Sequence, residues 1–366
     1  MSEKRNIFLL FSLNRNFRTF ADQRRMMNEF TRILLEWFRE NGRDLPWRQT
    51  KDAYAIWLSE IILQQTQVKQ GWAYWERFIG RWPTVESLAE ASEDEVLREW
   101  QGLGYYSRAR NLHFAARQIV EMGGFPNTLE GIRSLKGVGD YTAAAIGSFA
   151  FGLPAAVVDG NVYRVLSRHF GISTPINSTE GKKEFALLAQ ELLPTSNHPS
   201  LSSCPLPHAP CSIYNQAIMD FGAMQCTPLS PKCASCPLME SCVAFREGRV
   251  SELPVKLKTL KVKERRLVYV YVRYQGETAI RRRGKGDIWQ GLYEPVAMEE
   301  RPFGAVCLRQ NVKHILTHRI LWADFYLWEP KERPQLPEGY FWIKESELDD
   351  YAKPRLVEIM LEAVTS

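Results

Sequence analysis

The sequence predicts a mainly helical N-terminal region followed by a smaller α+β domain. Apolar residues recur at helical spacing from Met26 to Ile119, and a glycine-containing turn at 137–139 separates two further helical segments. After residue 266 the pattern changes to short runs of β-branched and aromatic residues, which are typical of strands. With 366 residues, the chain is long enough for two or three domains.

Composition and charge place the protein among ordinary globular proteins. It is 45% hydrophobic and 24% charged, and its formal net charge of +5 is compatible with a polyanionic partner without requiring one. No apolar run approaches the roughly 20 residues that a membrane span needs, so we expect no membrane association. Seven cysteines, four of them clustered, argue against a secreted disulfide framework. We therefore expect a cytoplasmic protein, associated with the nucleoid if it binds DNA.

Glu60 is the unusual residue of the second helical segment. It lies four residues after Ile56 and three after Trp57, so it projects from an apolar stripe. Burial disfavours the ionised form and raises the pKa of a carboxyl group, as a general acid requires. The alternative is a structural glutamate at the edge of the stripe that reaches water or pairs with Arg43 or Arg48. Because burial of a carboxylate is costly, the functional interpretation is favoured once a second carboxylate is available.

A short turn and a downstream aspartate supply that second carboxylate. Gly137 and Gly139 allow a tight turn and close backbone approach, and the amides that open the next helix suit a phosphate. Asp159 follows twenty residues after Gly139, before another helix. Each feature alone is more simply a turn and a helix N-cap. Together they resemble the helix-hairpin-helix DNA glycosylase superfamily, which implies that the turn grips the DNA backbone and that Asp159 faces the deoxyribose whose base is removed.

Two further loops have compositions that suit nucleic acid. Gln65 and Thr66, at the end of the Glu60 helix, have side chains that could enter a base stack. The segment 102–110 combines glycines, two tyrosines and two arginines, a mixture suited to wedging into DNA while holding phosphates. A helix–helix turn with both tyrosines packed inside explains that segment equally well in isolation.

A cysteine cluster is the strongest local signal in the chain. Cys226, Cys233, Cys236 and Cys242 have the spacing C-x6-C-x2-C-x5-C. Four thiolates this close suit a tetrahedral zinc ion or a cubane iron–sulfur cluster. Zinc sites usually pair two short Cys-x-x-Cys knuckles, and only one occurs here, so the spacing favours iron–sulfur.

The segment 194–211 contains five prolines and is interpreted as a solvent loop. It carries His198, Cys204, His208 and Cys211, but neither a Cys-x-x-Cys pair nor a paired histidine spacing, so we do not expect it to bind a metal.

The region after Ala244 begins with a basic linker, Pro254–Arg266. Strand-like runs follow at 267–274, 277–280 and 320–328, and a helix at Pro354–Ala363 closes the chain. This pattern predicts a separate α+β domain.

Taken together, these motifs resemble those of the adenine DNA glycosylases of the MutY type, which remove adenine mispaired with 8-oxoguanine. The resemblance covers roughly residues 27 to 366 and is strongest before residue 245. Its motifs are Arg43-x-Leu45-Pro46-Trp47, Trp57-Leu-Ser-Glu60, Leu63-Gln-Gln-Thr66, Gly102-Leu-Gly-Tyr-Tyr106, Leu135-x-Gly-Val-Gly139, Val158-Asp-Gly-Asn161 and the four-cysteine pattern.

This family implies a domain organisation and a cofactor. A basic extension would span 1–25, a helix-hairpin-helix glycosylase domain of two helical lobes 26–245, a linker 246–266 and a Nudix-like mispair-recognition domain 267–366. The four cysteines, within the loop 226–242, would hold one [4Fe–4S] cluster. The implied partner is double-stranded DNA with adenine opposite 8-oxoguanine or guanine, bound by a monomer.

The same resemblance assigns catalytic roles to four residues. Glu60 would protonate N7 of the flipped adenine, and Asp159 would stabilise the oxocarbenium ion or attach to it transiently. Tyr141 and Asn161 would hold this pair. Breaking an N-glycosidic bond leaves a cationic sugar, so one protonated and one ionised carboxyl group are needed.

Binding roles also follow from the resemblance. Arg48 and Gln216 match contacts to adenine, Gln65 and Tyr105 match residues inserted near the oxidised base, and Leu103 matches a neighbour of it. Thr317 and His318 stand where the family has the Ser-His of a Phe-Ser-His motif. Further expected contacts are Arg43, Leu45, Trp47 and Thr66 for the substrate, and Lys136, Gly137, Val138 and Gly139 for the DNA backbone.

Two alternatives differ from this interpretation in testable ways. Endonuclease-III-type pyrimidine glycosylases cut the strand through a Schiff-base lysine two residues after the hairpin's last glycine, where this chain has Tyr141, and a phenol cannot form the imine. A non-catalytic iron–sulfur DNA-binding module leaves Glu60 unexplained. The C-terminal region also lacks the Gly-x5-Glu-x7-Arg-Glu spacing of a Nudix box, so we expect no pyrophosphate hydrolysis there.

Overall fold

The computed structural model describes residues 20–194, 209–257 and 262–365, with side chains described from residue 25 onward. The greater part of the predicted basic extension therefore lies outside the described residues. So do His198, Cys204 and His208 of the proline-containing loop, and part of the linker.

The region before residue 250 is mainly helical, as the sequence predicted. Short 3₁₀ turns occur at Pro46–Arg48 and Cys233–Ser235. The helices, in chain order, are α1 (Phe20–Asn41), α2 (Ala53–Leu63), α3 (Val68–Arg81), α4 (Val85–Glu90), α5 (Glu93–Glu99), α6 (Ser107–Glu121), α7 (Leu129–Ser134), α8 (Asp140–Phe151), α9 (Gly160–Phe170), α10 (Thr179–Leu192), α11 (Pro210–Met224) and α12 (Val243–Arg246).

The C-terminal region contains a mixed six-stranded sheet of order β4-β5-β1-β3-β2-β6. β1 runs parallel to β5, from the pair Lys263–Arg319 to the pair Val272–Trp328, and the other pairings are antiparallel. The elements are β1 (Lys263–Tyr274), β2 (Glu277–Arg282), β3 (Tyr293–Met298), β4 (Val306–Ile315), β5 (Arg319–Trp328), β6 (Phe341–Lys344), a 3₁₀ turn at Glu345–Asp350 and α13 (Arg355–Thr365).

The predicted strands and the closing helix are all present, although their ends differ by a few residues. β1 begins at Lys263, so the last residues of the segment expected to be a linker belong to the sheet. β3, β4 and β6 were not predicted from the sequence.

The chain divides into two compact units that interleave along the sequence. One unit comprises Met1–Glu60 and Gly124–Lys258, and the other comprises Ile61–Gly123 and Thr259–Ser366. The second unit thus joins helices α3 to α6 with the C-terminal sheet.

The first unit is built around a helical core. Apolar faces of α1, α9, α10 and α11 meet there, and their central residues are almost fully buried: Phe30, Leu34, Val165, Leu166, Phe185, Leu188, Tyr214, Ala217 and Phe221. Burial of large side chains supplies most of the free energy that holds such helices together. This core includes residues of α8, α9 and α11, the three helices on which Tyr141, Asp159, Gln216 and Asp220 lie or which they cap.

Both segments of the second unit contain apolar clusters. In its helical segment Phe78, Trp82 and Trp100 form edge-to-face ring contacts with centroids 5.1 to 5.7 Å apart. In the C-terminal region α13 packs on one face of the sheet, with Leu356 and Met360 in the same buried cluster as Phe325. No helix in the described part of the chain is both long and apolar enough to span a bilayer.

Candidate active site

Glu60 lies in the last turns of α2 and is 7% exposed. Burial raises the pKa of its carboxyl group to about 7, and the hydroxyl of Tyr141, which donates to Oε2 at 3.0 Å, acts in the opposite direction. The charge of Asp159 raises this pKa further, and that of Arg48 lowers it. The predicted burial and the predicted direction of the pKa shift are therefore confirmed. A carboxyl group with this pKa is partly protonated at neutral pH and can donate a proton.

Asp159 is the N-cap of α9, so the prediction that this residue caps a helix is confirmed. Its Oδ1 accepts the backbone N–H groups of Asn161 and Val162 at 2.9 and 2.8 Å. Its Oδ2 accepts from Nδ2 of Asn161 at 2.7 Å. Burial raises the pKa of Asp159, and these three donated hydrogen bonds oppose the rise because they favour the ionised form.

Tyr141, in the first turn of α8, donates to Glu60 and lies within the electrostatic range of Asp159. Burial and the charges of Glu60 and Asp159 raise the pKa of its phenol well above the ordinary value, so the hydroxyl stays neutral and donates. The four residues expected to be catalytic therefore share one neighbourhood in the first unit. In that neighbourhood the carboxyl group of Glu60 accepts one hydrogen bond, from the Tyr141 side chain. The carboxyl group of Asp159 accepts three, two from backbone N–H groups and one from the Asn161 side chain.

Asn161 is held from behind by a residue that the sequence did not single out. Arg164, one turn along α9, donates from Nη2 to Oδ1 of Asn161 at 2.8 Å and to the carbonyl of Gly222 at 2.7 Å. Its Nε donates to the carbonyl of Cys226 at 2.7 Å. Gly222 lies so close that an added Cβ would be 2.6 Å from Cβ of Asn161. Only glycine fits there without displacing Asn161.

Asp220 of α11 is a second residue that the sequence missed. It is fully buried and accepts hydrogen bonds from Arg43 at 2.5 Å and from Arg48 at 2.8 Å. Burial opposes ionisation of Asp220, but these two guanidinium groups outweigh it and hold the pKa of the carboxyl below its usual range. Both arginines form ion pairs with Asp220, and the charge of Arg48 also lowers the pKa of Glu60.

Gln216 lies one helical turn before Asp220. Its Nε2 donates to Oγ of Ser212 at 3.2 Å, while its buried Oε1 has no hydrogen-bond partner among the described residues. A buried carbonyl oxygen without a donor is costly and marks a place where a ligand N–H group is accommodated. Leu45 and Trp47, also expected to contact the substrate, are buried in the loop before α2.

The predicted backbone-binding turn precedes α8. Gly137 has φ +81°, a conformation that favours glycine, whereas Gly139 is the N-cap of α8 with φ −95° and does not need one. Lys136 and the two glycines are exposed, while Val138 is buried and anchors the turn.

The four clustered cysteines lie in one segment of the first unit, as free thiols that are each partly buried. Burial raises the pKa of Cys236 to about 12, and the charges of the other three cysteines raise it further. Nη1 of Arg168 lies 3.5 Å from Sγ of Cys226. Within the described ranges, no group of three or more potential ligand side chains forms a metal site.

A second polar site lies within the second unit. Thr317 and His318 form the turn between β4 and β5, and the hydroxyls of Tyr105 and Thr317 are 2.6 Å apart. They line a cavity of about 630 Å³. The sequence missed two other residues of this cavity, Trp289 and His314, whose rings make an edge contact with centroids 5.8 Å apart.

The turn after α2 is held by one buried arginine. Gln65 is exposed at φ +59°, and Thr66 beside it is half-buried. The guanidinium of Arg108 donates to the carbonyls of Ile61 and Ile62 at 3.0 and 2.9 Å and also to that of Gln64. Desolvation lowers the pKa of Arg108 to about 10. The residues expected near an oxidised base are therefore placed by buried contacts, although their own side chains, apart from the buried Leu103, remain accessible.

Comparison with known proteins shows two family matches. Residues 58–194 match the HhH-GPD superfamily of base excision DNA repair proteins, and residues 268–363 match the NUDIX domain.

Relatives of known name are similar over much of the chain. The adenine DNA glycosylase of Buchnera aphidicola subsp. Schizaphis graminum is 35% identical over 267 residues, which cover 72% of this chain and 73% of that protein. The adenine DNA glycosylase of Homo sapiens is 43% identical over 235 residues, covering 61% and 41% respectively.

Solved structures support the same fold. A thermostable thymine-DNA glycosylase is 30% identical, with a TM-score of 0.54 over 62% of this chain and 99% of its own. A trapped endonuclease III–DNA covalent intermediate is 21% identical, with a TM-score of 0.51 over 63% and 99%, and shows likeness of fold only.

Proposed function

Because this chain belongs to the adenine DNA glycosylases of the helix-hairpin-helix superfamily, we propose that its substrate is adenine mispaired with 8-oxoguanine or guanine in duplex DNA. The observation that supports the proposed chemistry best is the unequal environment of two neighbouring carboxyl groups. Glu60 is buried with one hydrogen-bond donor, and Asp159 has three. The proposed glycosylase domain spans 26–245 and the mispair-recognition domain 267–366, and the enzyme acts as a monomer.

The first step is protonation of the leaving base. Adenine must leave the base stack before its sugar can be reached. Glu60 donates its proton to N7, the C1′–N9 bond breaks, and the bonding electrons leave with the base. The deoxyribose becomes an oxocarbenium ion, and water then adds to C1′ with loss of a proton. The pKa of about 7 keeps much of Glu60 in the donating form at neutral pH.

Asp159 stabilises the cationic sugar as an ionised carboxylate. The donors from Asn161 and Val162 favour that form and fix its direction. Tyr141 orients Glu60, and Arg164 keeps the amide of Asn161 aligned. This division of roles is that of two carboxyl groups whose surroundings push their pKa values apart.

Arg48 and Gln216 form the proposed adenine pocket. The unpartnered Oε1 of Gln216 is an acceptor suited to the exocyclic amine of adenine. Asp220 fixes the guanidinium of Arg48, so that the pocket is shaped before the base enters. Arg43, Leu45 and Trp47 complete the wall of this pocket.

The opposite base is read in the second unit, by Tyr105 and Thr317 together. When two hydroxyls share one hydrogen bond, the pair still offers one free donor and free lone pairs. A donor and an acceptor side by side match O8 and N7–H of 8-oxoguanine. His318, Gln65, Thr66 and Leu103 flank this reading position, and Lys136 with the turn 137–139 holds the DNA backbone.

The cysteine segment is proposed to hold one [4Fe–4S] cluster through Cys226, Cys233, Cys236 and Cys242. Four thiols in one short segment, beside the cationic side chain of Arg168, are the donor set and charge that such a cluster needs. When bound, the cluster crosslinks the segment and carries reversible one-electron chemistry.

Single-turnover excision tests the proposed reaction. Duplexes with adenine opposite 8-oxoguanine are incubated with excess enzyme, and base loss and strand breakage are scored separately. We expect base loss with an intact strand until alkali is added, because Tyr141 cannot form an imine. Glu60→Gln and Asp159→Asn should each lower the rate by at least ~10²-fold with mispair binding largely retained.

Glu40→Gln is the matched control, since Glu40 is an exposed carboxylate at the end of α1. Its rate should equal that of the wild type. Either active-site variant retaining more than about a tenth of the wild-type rate would remove that residue from the mechanism.

A further inference from the structure

Gln101 stands immediately before the turn that carries Leu103 and Tyr105. Its side-chain amide makes two hydrogen bonds within the second unit, both to the C-terminal region. Nε2 donates to Oε1 of Glu358 at 2.5 Å, and Oε1 accepts the backbone N–H of Lys353 at 3.0 Å. Its backbone carbonyl accepts the hydroxyl of Tyr74 at 2.7 Å. Gln101 is therefore fixed on both sides.

The turn after Gln101 depends on such anchors. Gly102, Gly104 and Tyr105 all have positive φ, at +90°, +75° and +49°. Tyrosine rarely adopts this conformation, and it persists only where the surroundings impose it. The following residue, Tyr106, is the second anchor, because its hydroxyl donates to the carbonyl of Lys353 at 3.4 Å.

Gln101 and Tyr106 both contact the part of the C-terminal region that supports Thr317, whose hydroxyl pairs with that of Tyr105. Glu358 lies in α13, which packs through Leu356 and Met360 on the sheet that includes β4 and β5. Thr317 lies in the turn between those strands. The distance of 2.6 Å between the Tyr105 and Thr317 hydroxyls therefore requires that α13 and the turn 102–105 keep a fixed relation.

We propose that Gln101 is a specificity-determining positioning residue. Through its hydrogen bond to Glu358, it keeps the turn that carries Tyr105 at a fixed position relative to Thr317. Discrimination between 8-oxoguanine and guanine depends on it, whereas excision of adenine does not. This inference rests on the proposed function, in which Tyr105 and Thr317 read the opposite base.

A swap of the two side chains tests the inference. In Gln101→Glu two carboxylates face each other, and the donor between them is lost. Glu358→Gln alone leaves an amide that still pairs with Gln101, and Arg355 keeps its second partner, Glu362. In the double variant Gln101→Glu with Glu358→Gln, the new amide donates to the new carboxylate, so the hydrogen bond is restored with its direction reversed.

The measurement is the ratio of dissociation constants for two duplexes. Each carries 2′-fluoro-2′-deoxyadenosine, whose fluorine prevents cleavage by destabilising the cationic sugar, opposite either 8-oxoguanine or guanine. We expect Gln101→Glu to reduce the wild-type preference roughly tenfold, about 1.4 kcal/mol. Glu358→Gln should change it less than about threefold, and the double variant should return to within about threefold of wild type. The single-turnover rate at saturating enzyme should stay within about threefold throughout.

Glu362→Gln, one turn further along α13, is the matched control and should leave the preference unchanged. Gln101→Met, which removes both hydrogen bonds without adding charge, replaces Gln101→Glu if thermal unfolding shows that the latter does not fold. If the wild type binds the duplexes with 8-oxoguanine and with guanine equally tightly, the proposed function is overturned. A wild-type preference that survives in the Gln101 variant, or a double variant as defective as Gln101→Glu, overturns this inference alone.

Discussion

At the scale of single residues, the two carboxyl groups of the active site show how environment assigns chemical roles. Glu60 and Asp159 are both removed from water, which alone would favour the neutral form of each. Asp159 caps a helix and so receives two backbone donors in addition to the amide of Asn161. Glu60 lies inside a helix, where the backbone N–H groups are already paired, and among the described residues it receives the hydroxyl of Tyr141. The roles proposed for the two carboxyl groups, as acid and as stabilising carboxylate, thus follow from their different positions in helices.

The pH dependence of excision should report on Glu60. Its protonated form is required, and that form is lost as the pH rises through about 7, so the single-turnover rate should fall roughly tenfold per pH unit above that value. The Tyr141 hydroxyl favours the ionised form of Glu60. In Tyr141→Phe the pKa of Glu60 therefore rises, and the break in the profile should move to higher pH. Rates measured between about pH 5 and 9 check this.

Tyr163→Phe serves as the control for that profile, because Tyr163 packs edge-to-face on Phe185 in the core. Its break should coincide with that of wild type. A break that stays in place or moves to lower pH in Tyr141→Phe would contradict the assignment of Glu60 as the titrating acid.

Local sequence pattern identified Glu60 and Asp159 but not their supports. Glu60 was visible because a charged residue interrupts an apolar stripe, and Asp159 because it precedes a helix. The partners of Arg43 and Arg48 were not visible, since Asp220 lies more than 170 residues along the chain. Gly222 offered one signal, because a glycine inside a helix lowers its stability and usually indicates close packing. Asn161 is the packed neighbour that explains it.

At the scale of elements, α9 serves two sites at once. Its N-terminus holds Asp159, and one face further along carries Arg164 and Arg168, which reach the segment that begins at Cys226. Arg168 also donates to the carbonyls of Thr227 and Pro228 at 2.7 and 3.0 Å. The cysteine segment and Asp159 are therefore both attached to the same helix.

Removal of one clustered thiol should remove the cofactor. Anaerobically purified wild type should be brown and contain iron and sulfide, whereas Cys233→Ser should be colourless and bind duplex DNA more weakly. The reason is that a cubane cluster needs four thiolate ligands. Iron, sulfide and zinc analysis, with a filter-binding titration, checks both parts.

Cys307→Ser is the control here, since Cys307 is an exposed thiol of β4 outside the cluster segment. Its colour and binding should match wild type. About one zinc ion per chain and no iron in the wild type would show that the cysteines form a zinc site instead.

The strands illustrate which elements sequence pattern can predict. β1 and β5 are central or inner strands with continuous apolar runs, and both were predicted. β4 is an edge strand that is exposed along most of its length and interrupted by two register irregularities, so its residues lack both a long apolar run and regular alternation. β3 contains Pro295, a residue that is unfavourable within a strand because it lacks a backbone N–H group.

At the scale of the whole molecule, the residues proposed for excision and those proposed to read the opposite base belong to different compact units. Glu60 and Asp159 belong to the first, and Tyr105 and Thr317 to the second. Adenine is the normal partner of thymine, so an excision site alone would be harmful. Placing the reader on a separate body of the chain allows selectivity to be altered without altering the chemistry.

The double variant Thr317→Ala with His318→Ala should separate these two properties. Loss of the Thr317 hydroxyl leaves Tyr105 unpaired and removes one group that distinguishes 8-oxoguanine from guanine. The ratio of the affinities for the 8-oxoguanine and guanine duplexes should fall roughly tenfold, about 1.4 kcal/mol. The excision rate at saturating enzyme should fall far less than in Glu60→Gln. Titration of both duplexes and single-turnover assays check the two halves.

Thr365→Ala, an exposed threonine at the end of α13, is the control and should preserve the preference. If the double variant keeps the full preference, the reader lies elsewhere, and Gln65, Leu103 and Tyr105 become the next residues to replace.

The interleaving of the two units along the chain has a consequence for biosynthesis. Residues 61–123 leave the ribosome long before residues 259–366, with which they form one compact unit. Domains generally fold as units during synthesis, and N-terminal domains fold first. The two segments of this unit, however, are separated in the sequence by residues 124–258 of the other unit. Helices α3 to α6 are therefore synthesised before the sheet of their unit. Until the C-terminal region has been synthesised, residues such as Tyr106 lack their partners there. Translation rate and chaperone supply should influence the yield of active enzyme more strongly than they would for two consecutive domains.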